Sequence, residues 1–458
     1  MGQFAAHMTR RSAMAGAGVF AAGLLMAGRS AEAAAGTVTT APEDIETWTS
    51  DNPALRGAFV PVFDERDDAN LSVKGEIPPG LRGVFMRNGP NPRFKPDDHY
   101  AYPFDGTGML HAIYLENGRV RYRNRWIKTA EFLQEQAAGH RVYNSGFSAP
   151  PHADLANTNI VRHAGRYLAL FEAGKPYEVD RDLGTVGVFD YSGKLPTVMS
   201  AHPKLDPASG ELLSIAYNLQ TGAMIYLRAD PAGQLDAIVP FQAPWGAMVH
   251  DICLTEQHVV AFIGPAVFDR SRPGPPVTWQ PDRGTMVAVI PRSAKEAADI
   301  KWIRGAPFFQ FHVMNGFIEA DRIEVTVPWY DSFSLAKPAA RLELHKIVID
   351  TKAARVADQV LDDRACEFPR VNDRFLGRRT RYGYVGLRDP RPGEKPQTGA
   401  FEAVARYDLS TGSKAVYQFP AGVTICEPLF VADPHGKDEQ DGFIFAFAHQ
   451  AGVPAEAL

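Results

Sequence analysis

Three of the 13 histidines lie in segments unlike those of the rest, namely His202-Pro203-Lys204, Val249-His250-Asp251 and Phe311-His312-Val313. They are 48 and 62 residues apart, which is too far for one helix and typical of successive blades of a β-propeller. Residues at the inner end of each blade converge on the propeller axis, and neutral imidazole binds divalent iron, copper, nickel and zinc. The spacing therefore indicates a candidate metal site. The alternative is three unrelated histidines, each with its own hydrogen bonds.

The elements that would position these histidines are short strands. Apolar or alternating runs at 167–171, 259–263, 322–327 and 443–447 predict strands, and one helix is predicted at 129–138. Asn117-Gly118, Thr221-Gly222 and Ser410-Thr411-Gly412 each predict a hairpin turn between two strand-like runs. Many short strands over some 400 residues favour an all-β propeller, because radial blades leave few exposed edges.

Composition excludes some classes of protein. With 45% hydrophobic and 22% charged residues, the chain has an ordinary globular balance. A net charge of −5 gives no support to nucleic-acid binding, which calls for a basic surface. Three cysteines, Cys253, Cys366 and Cys426, are too few for a disulfide framework and contain no zinc-binding pair, so we expect buried free thiols.

The first 35 residues differ from the rest. Arg10-Arg11 precede an apolar run rich in Ala and Gly, followed by Ala31-Glu32-Ala33, which resembles a signal-peptidase site. This layout predicts a twin-arginine signal peptide over 1–35 and export to the periplasm or the medium. Residues 36–458 contain no stretch typical of a linker and are read as one domain.

Several short motifs occur together and in a fixed order. They are Asn88-Gly89-Pro90-Asn91-Pro92, Pro103-Phe104-Asp105-Gly106-Thr107-Gly108-Met109-Leu110-His111, Ala156-Asn157-Thr158-Asn159, the three histidine segments and Glu367-Phe368-Pro369. On these motifs the chain resembles the carotenoid cleavage oxygenases, a family with carotenoid- and apocarotenoid-cleaving enzymes, lignostilbene dioxygenases and a retinoid isomerase. The resemblance runs from about residue 55 to 442, nearly the whole mature chain.

The resemblance implies a seven-bladed propeller with short helices capping one face. It also implies one Fe(II) per chain on the axis, held by four histidines and by no carboxylate. By motif, His202, His250 and His312 match the first three ligands.

Three glutamates of the family accept hydrogen bonds from ligand histidines. Glu172, Glu367 and Glu439 match them in this sequence. A carboxylate on the distal N–H of an imidazole fixes its tautomer and orientation and raises its basicity.

One part of the family pattern is absent from the sequence. The fourth histidine belongs to a Gly-Phe-His-Gly-type segment near the C-terminus, and His449 aligns ahead of that position. We therefore expect a chain truncated inside its last blade, with that blade incomplete and Glu439 without its usual partner.

The implied reaction uses O2 to cleave a conjugated C=C bond of a carotenoid, an apocarotenoid or a lignostilbene-type phenolic stilbene into two carbonyl products. Stilbene-cleaving relatives hold the substrate phenol with a lysine and a tyrosine, for which Lys128 and Tyr100 are the candidates. A lysine would help a phenol ionise. The alternative is a solvated lysine at a helix start. Contact of apolar loops with a membrane surface during substrate uptake is a further expectation.

Two other functions compete with this one. A truncated propeller could bind apolar isoprenoids or aromatics without turnover, and the missing histidine supports that alternative. A calcium-dependent propeller hydrolase would need carboxylate-rich axial motifs, whereas these motifs are rich in histidine.

Overall fold

The computed structural model describes residues 52–78, 80–95, 106–144, 153–268, 277–334, 339, 341–391 and 399–450. The predicted signal peptide over 1–35 and Tyr100 lie outside these ranges, so both stay predictions. No helix in the described ranges is long and apolar enough to cross a membrane.

Antiparallel four-stranded sheets follow one another along the chain and form the blades. Blade 1 consists of β1 (Asp67–Asp68), β2 (Gly83–Asn91), β3 (Thr107–Glu116) and β4 (Arg119–Trp126). Blade 2 consists of β5 (Asn159–His163), β6 (Arg166–Leu170), β7 (Tyr177–Val179) and β8 (Thr185–Val188). Blade 3 consists of β9 (Lys204–Leu205), β10 (Leu212–Tyr217), β11 (Ala223–Ala229) and β12 (Leu235–Gln242).

The next three blades complete the series. Blade 4 consists of β13 (Ile252–Leu254), β14 (His258–Ile263), β17 (Thr285–Pro291) and β18 (Lys301–Gly305), beside a separate two-stranded ladder of β15 (Ala266–Phe268) and β16 (Val277–Trp279). Blade 5 consists of β19 (Asn315–Glu319), β20 (Arg322–Tyr330), β21 (Leu342–Asp350) and β22 (Arg355–Asp362). Blade 6 consists of β23 (Cys366–Arg370), β24 (Tyr382–Leu387), β25 (Ala403–Asp408) and β26 (Ser413–Gln418).

The last described strands form a long hairpin. Its strands are β27 (Val423–Ile425), β28 (Leu429–Ala432), β29 (Gly442–Phe445) and β30 (Ala448–Gln450), with β27 paired to β30 and β28 to β29. Between the two ladders the Cys426 N–H still donates to the Phe447 carbonyl at 3.1 Å, so the ladders are two halves of one hairpin. The pairing shifts by one residue across the break. Pro428, which has no N–H to offer, lies in the longer of the two connections.

This closing hairpin lies between blades 6 and 1. On one side Val423 and Ile425 pack against Phe401 and Val404 of the blade 6 region. On the other side an apolar cluster joins the hairpin to blade 1, with Phe443, Phe445, Leu115 and Val120 as its buried members. Further apolar clusters lie between the other neighbouring blades, and burial of apolar side chains is the main force that holds a propeller together.

The all-β propeller is confirmed, but the predicted count of seven blades is not what the described residues form. They form six four-stranded blades, and the closing hairpin, formed by β27 to β30 and two strands wide, lies beside them. Beyond its own pairing, the hairpin has a single bridge in the described ranges, between Phe401 and Ile425. One bridge does not make a further strand pair, so the sheet there stays two strands wide.

Local predictions fare well. The predicted helix at 129–138 is α1 (Ala130–Ala138), where the Thr129 hydroxyl accepts the Phe132 N–H at 3.1 Å and Gly139 ends the helix with φ of 72°. Short 3₁₀ turns lie at Pro53–Leu55, Gly57–Phe59, Pro281–Arg283, Ala297–Asp299 and Asp373–Phe375. That helices cap one face of the propeller stays a prediction.

The predicted strands and turns are also confirmed, with small differences at the ends. The runs at 259–263 and 322–327 lie in β14 and β20, whereas the run at 443–447 is interrupted after Phe445. All three predicted turns join neighbouring strands, and Asn117 and Gly118 have φ of 52° and 74°. The three cysteines are buried and free.

Candidate metal centre

The three predicted histidines enter the centre from three different blades. Each lies two or three residues before the first strand of its blade: His202 before β9, His250 before β13 and His312 before β19. This first strand lies at one edge of its sheet in every case: β9 in blade 3, β13 in blade 4 and β19 in blade 5. Because the three histidines meet, these end strands are the innermost ones.

The structure brings the three imidazoles together. One nitrogen from each of His202, His250 and His312 lies within 4.8 Å of the other two. Nε2 of His202 and Nε2 of His250 are 3.0 Å apart. Within the described ranges, these three residues form the one group of His, Cys, Asp or Glu side chains close enough together to hold a metal ion.

This donor set fits a divalent transition metal. Two imidazole nitrogens at right angles on one ion, each at about 2.1 Å, would be about 3 Å apart, close to the His202–His250 separation. Three imidazoles without a thiolate suit iron, copper, nickel or zinc better than magnesium or calcium.

Glu172 orients His250. Its carboxylate oxygens lie 3.1 and 3.2 Å from His250 Nδ1, so the Nδ1–H donates outward and Nε2 faces the centre. Burial would raise the pKa of Glu172, but the neighbouring His250 imidazole and the Tyr217 hydroxyl outweigh it and lower that pKa. Glu172, whose side chain is 17% exposed, therefore favours the charged carboxylate.

Glu367 plays the matching part for His312. His312 Nδ1 donates to Oε2 at 2.6 Å, and the Phe368 N–H donates to the same oxygen at 2.6 Å. Tyr330 donates its hydroxyl to Oε1 at 2.8 Å. Burial alone would raise the pKa of Glu367, yet these donors, the His312 imidazole above all, lower it.

His202 has a different environment. Burial, and then the neighbouring His250 and His312, lower its pKa well below the usual value. The imidazole of His202 is therefore neutral at physiological pH, which is the form that ligates a metal.

Glu439 is not brought to the three histidines. Its carboxylate accepts the backbone N–H groups of Arg381 and Tyr382, with the bond to Tyr382 at 2.8 Å, and the hydroxyl of Thr380. A carboxylate with these donors anchors the start of β24. Among the described hydrogen bonds, none joins Glu439 to His202, His250 or His312, and its place behind a ligand histidine stays a prediction.

Lys128 lies at the start of α1 with an exposed side chain, and its backbone N–H donates to Thr185 Oγ1 at 3.0 Å. An exposed ammonium group suits the alternative of a solvated lysine. A role for Lys128 and Tyr100 in substrate binding stays a prediction.

Aromatic side chains border the imidazoles. The Phe311 ring meets the His250 ring edge-on at 5.5 Å between centroids, and the Phe368 ring lies 5.1 Å from that of His312. Phe368 has φ of +50°, an unfavourable conformation for an aromatic residue that is retained mostly at functional sites. These rings give the centre an apolar side suited to a hydrocarbon or an aromatic substrate.

Comparison with known proteins agrees with this geometry. Residues 59–457 match the family model described as retinal pigment epithelial membrane protein. The isoeugenol monooxygenase of Pseudomonas nitroreducens is 31% identical over 86% of this chain and 88% of its own. The apocarotenoid-15,15′-oxygenase of Synechocystis is 30% identical over 84% of this chain and 86% of its own. The chain belongs to the carotenoid cleavage oxygenase family.

Solved structures of carotenoid cleavage oxygenases share the fold. The lignostilbene dioxygenase of Pseudomonas brassicacearum is similar with a TM-score of 0.80 at 30% identity, covering 86% of this chain and 89% of its own. A cobalt-substituted Synechocystis enzyme gives a TM-score of 0.76 at 27% identity, and the match covers 87% of this chain and 95% of that enzyme. The relatives are named oxygenases and dioxygenases, so this chain is an enzyme of the carotenoid-oxygenase type.

Sequence reasoning missed the tyrosines behind the glutamates. Tyr330, which donates to Glu367, ends β20, and Tyr217, which bonds Glu172, ends β10. No local motif marks either residue. The available signal was only that each is the last residue of a predicted or observed strand.

Proposed function

We propose that this carotenoid cleavage oxygenase is a non-haem Fe(II) dioxygenase. It would use O2 to cleave a conjugated C=C bond of a carotenoid or apocarotenoid, or of a lignostilbene-type phenolic stilbene. The convergence of His202, His250 and His312, within a family of oxygenases, carries the proposal.

The three imidazoles would hold one Fe(II), and Glu172 and Glu367 would keep the Nδ1 protons of His250 and His312 pointing outward. The ion, when bound, supplies the one-electron chemistry that lets O2 react with a closed-shell alkene. Phe311 and Phe368 present apolar surface beside the imidazoles, which favours an apolar substrate over water.

The overall reaction balances without a reductant. The C=C double bond breaks, the O–O bond breaks, and each of the two carbonyl products keeps one oxygen atom of O2. No side chain need act as a nucleophile. The protein's part is to orient the alkene and the imidazoles.

The names of the relatives point to different substrates. Some are named for isoeugenol or resveratrol, which are phenolic styrenes, and others for apocarotenoids. All of these are apolar conjugated alkenes. A first screen therefore covers isoeugenol, resveratrol and an apocarotenal.

The deciding experiment reconstitutes the mature protein anaerobically with Fe(II) and supplies each substrate with ¹⁸O2, beside a His250→Ala control of matched circular dichroism. We expect about one iron per chain, O2 uptake and two carbonyl products with one labelled oxygen each. Label in one product alone would overturn the dioxygenase assignment. Ligand binding, seen as quenching of tryptophan fluorescence, without O2 uptake would instead support a binding protein without turnover.

The predicted phenol contacts can be tested in the same assay. We propose that Lys128 and Tyr100 hold the phenol of a stilbene. Lys128→Ala should then abolish resveratrol cleavage and spare apocarotenal cleavage. Equal losses for both substrates, or no loss, would contradict this role.

We further propose that residues 1–35 direct export. The twin arginines Arg10-Arg11 and the following apolar run support it. Replacing both arginines by lysine should retain a fused reporter in the cytoplasm, and continued export would contradict the proposal.

A further inference from the structure

An ion pair between the half-buried Lys204 and the buried Asp251 lies beside the metal centre. Asp251 Oδ1 is 2.7 Å and Oδ2 is 2.9 Å from Lys204 Nζ. Lys204 is the second residue after His202, and the intervening Pro203 restricts the backbone between them. Because Asp251 directly follows His250, this pair joins the segments of two histidines.

The same carboxylate reaches the third histidine segment. Asp251 Oδ2 accepts the backbone N–H of Val313 at 2.8 Å, and Val313 directly follows His312. Oδ1 accepts the N–H of Ile252 at 2.7 Å. One carboxylate thus connects the segments that carry all three candidate ligands.

The contacts leave this carboxylate no alternative partner. The Asp251 side chain is 2% exposed and that of Lys204 is 14% exposed. Each carboxylate oxygen receives the Lys204 ammonium and one backbone N–H. Charge-assisted hydrogen bonds in a buried site are short and strong, and loss of either partner leaves an uncompensated charge. The three segments are therefore held at fixed separations.

We propose that Asp251, with Lys204 as its counter-ion, is a positioning residue that sets the distances between the three imidazoles. The inference rests on the proposed function, because it assumes that the imidazoles bind a divalent ion. Each histidine comes from a separate blade, so a small relative movement of the blades would change the 3.0 Å separation of the nitrogens. Asp251 opposes that movement at the backbone, whereas Glu172 and Glu367 only orient single rings.

The test compares Asp251→Asn, Lys204→Met and Lys204→Arg with Asp206→Asn. Asp206 is a matched control because it is also a buried carboxylate in an ion pair: it follows β9 in blade 3 and pairs with Arg292 at 2.8 Å. It contacts no histidine segment in the described hydrogen bonds. Co(II) affinity is measured by competition with a chromophoric chelator, and the visible Co(II) spectrum reports ligand geometry.

We expect Asp251→Asn and Lys204→Met to weaken Co(II) binding by about 10- to 100-fold and to change the spectrum. Lys204→Arg, which keeps the cation, should restore binding to within a few-fold of wild type, and Asp206→Asn should match wild type. Circular dichroism and melting temperature identify the folded variants, and if Asp251→Asn does not fold, the two Lys204 variants decide.

Wild-type affinity and spectrum in folded Asp251→Asn or Lys204→Met would overturn the positioning role, as would an equal loss in Asp206→Asn. Failure of the wild-type protein to bind either Co(II) or Fe(II) would overturn the proposed function as well. The two failures are therefore distinguishable.

Discussion

At the scale of single residues, the centre is built from donors that converge on buried carboxylates. Glu367 accepts hydrogen bonds from His312, from the Phe368 N–H and from Tyr330. A carboxylate left short of donors in such a site would lose part of its preference for the charged form. The tyrosine therefore affects the imidazole through the glutamate.

We expect Tyr330→Phe to weaken metal binding by roughly tenfold or less. One hydrogen bond to a charged group contributes about 1.5–3 kcal/mol, and only part of that would reach His312. The measurement is a Co(II) titration. Tyr114→Phe, which removes a hydroxyl bonded to the Arg181 carbonyl at 2.7 Å, is the control. Equal metal affinity in Tyr330→Phe and wild type would show that Glu367 needs no help from the tyrosine.

Asp154 is a half-buried carboxylate with few hydrogen-bond donors. Burial raises its pKa to about 7, although the Ala156 N–H lowers it, and the neighbouring Glu131 raises it further. A raised folded-state pKa means that the unfolded chain releases the Asp154 proton first as pH rises. The contribution of Asp154 to stability is thus present below about pH 4 and is lost between about pH 4 and pH 7.

We therefore expect the difference in unfolding free energy between Asp154→Asn and wild type to be more favourable to the variant at pH 8 than at pH 5. The gain should be on the order of a few kcal/mol, since each pKa unit is worth about 1.4 kcal/mol. Urea unfolding of both proteins at the two pH values measures it. Parallel pH dependence of the two proteins would show that Asp154 ionises normally in the fold.

At the scale of elements, hairpin turns determine which strands pair. Gly118 has φ of +74° in the turn between β3 and β4, and a Cβ there would meet no atom within 4 Å. Gly89 in β2 has equally open space and no positive φ. The two glycines therefore separate backbone strain from steric clash.

Gly118→Ala should cost about 1 kcal/mol of unfolding free energy, because an L-residue is strained in the left-handed region. Gly89→Ala should be neutral or slightly stabilising, because it only restricts the unfolded chain. Urea unfolding followed by tryptophan fluorescence compares the pair. A similar cost for both variants would mean that space rather than φ controls these positions.

At the scale of the whole molecule, the closing hairpin completes the ring. Phe445 is 7% exposed and its ring lies 5.8 Å from that of Phe85 in blade 1. Apolar contacts with blades 6 and 1 on its two sides make the hairpin a link between the beginning and the end of the described ring.

Phe445→Ala should cost about 3–5 kcal/mol, as expected for a buried aromatic residue. We also expect faster amide hydrogen exchange in β2, β3 and β29, but not in β14. Phe262→Ala, at a 1% exposed position of β14, should lose a similar amount of unfolding free energy. In that variant, amide exchange should be faster in β14 and unchanged in β2, β3 and β29. Uniform acceleration in both variants would contradict closure as a local role of the hairpin.

The sequence predicted what depends on neighbouring residues. Asn117-Gly118 predicts its turn because these two residues readily adopt positive φ angles. Likewise, Thr129 and Gly139 cap α1 at its two ends, so both helix ends are encoded by adjacent residues. For the three histidines, the spacing indicated a candidate metal site and left three unrelated histidines as the alternative, whereas the family resemblance implied that they share one ion. The turn and the helix need no knowledge of how the blades pack.

Other features depend on packing between blades, which no local pattern encodes. Tyr330 and Glu367 belong to blades 5 and 6, and Asp251 reaches Val313 across 62 residues. Glu439 was assigned from its position in a motif, yet its carboxylate meets the backbone donors at the start of β24. The blade count also depended on whether the closing hairpin pairs with further strands, and in the described residues it makes one bridge, between Phe401 and Ile425.

The burial of all three cysteines has a practical consequence. Burial raises the pKa of the Cys253 thiol to about 12, and that of Cys366 is raised well above its usual value, so neither forms the reactive thiolate readily. A thiol introduced by Val186→Cys, at a 64% exposed position of the outer strand β8, would therefore be the preferred target of a maleimide. The enzyme could then carry one dye, or one tether to a resin, at a defined point of its rim.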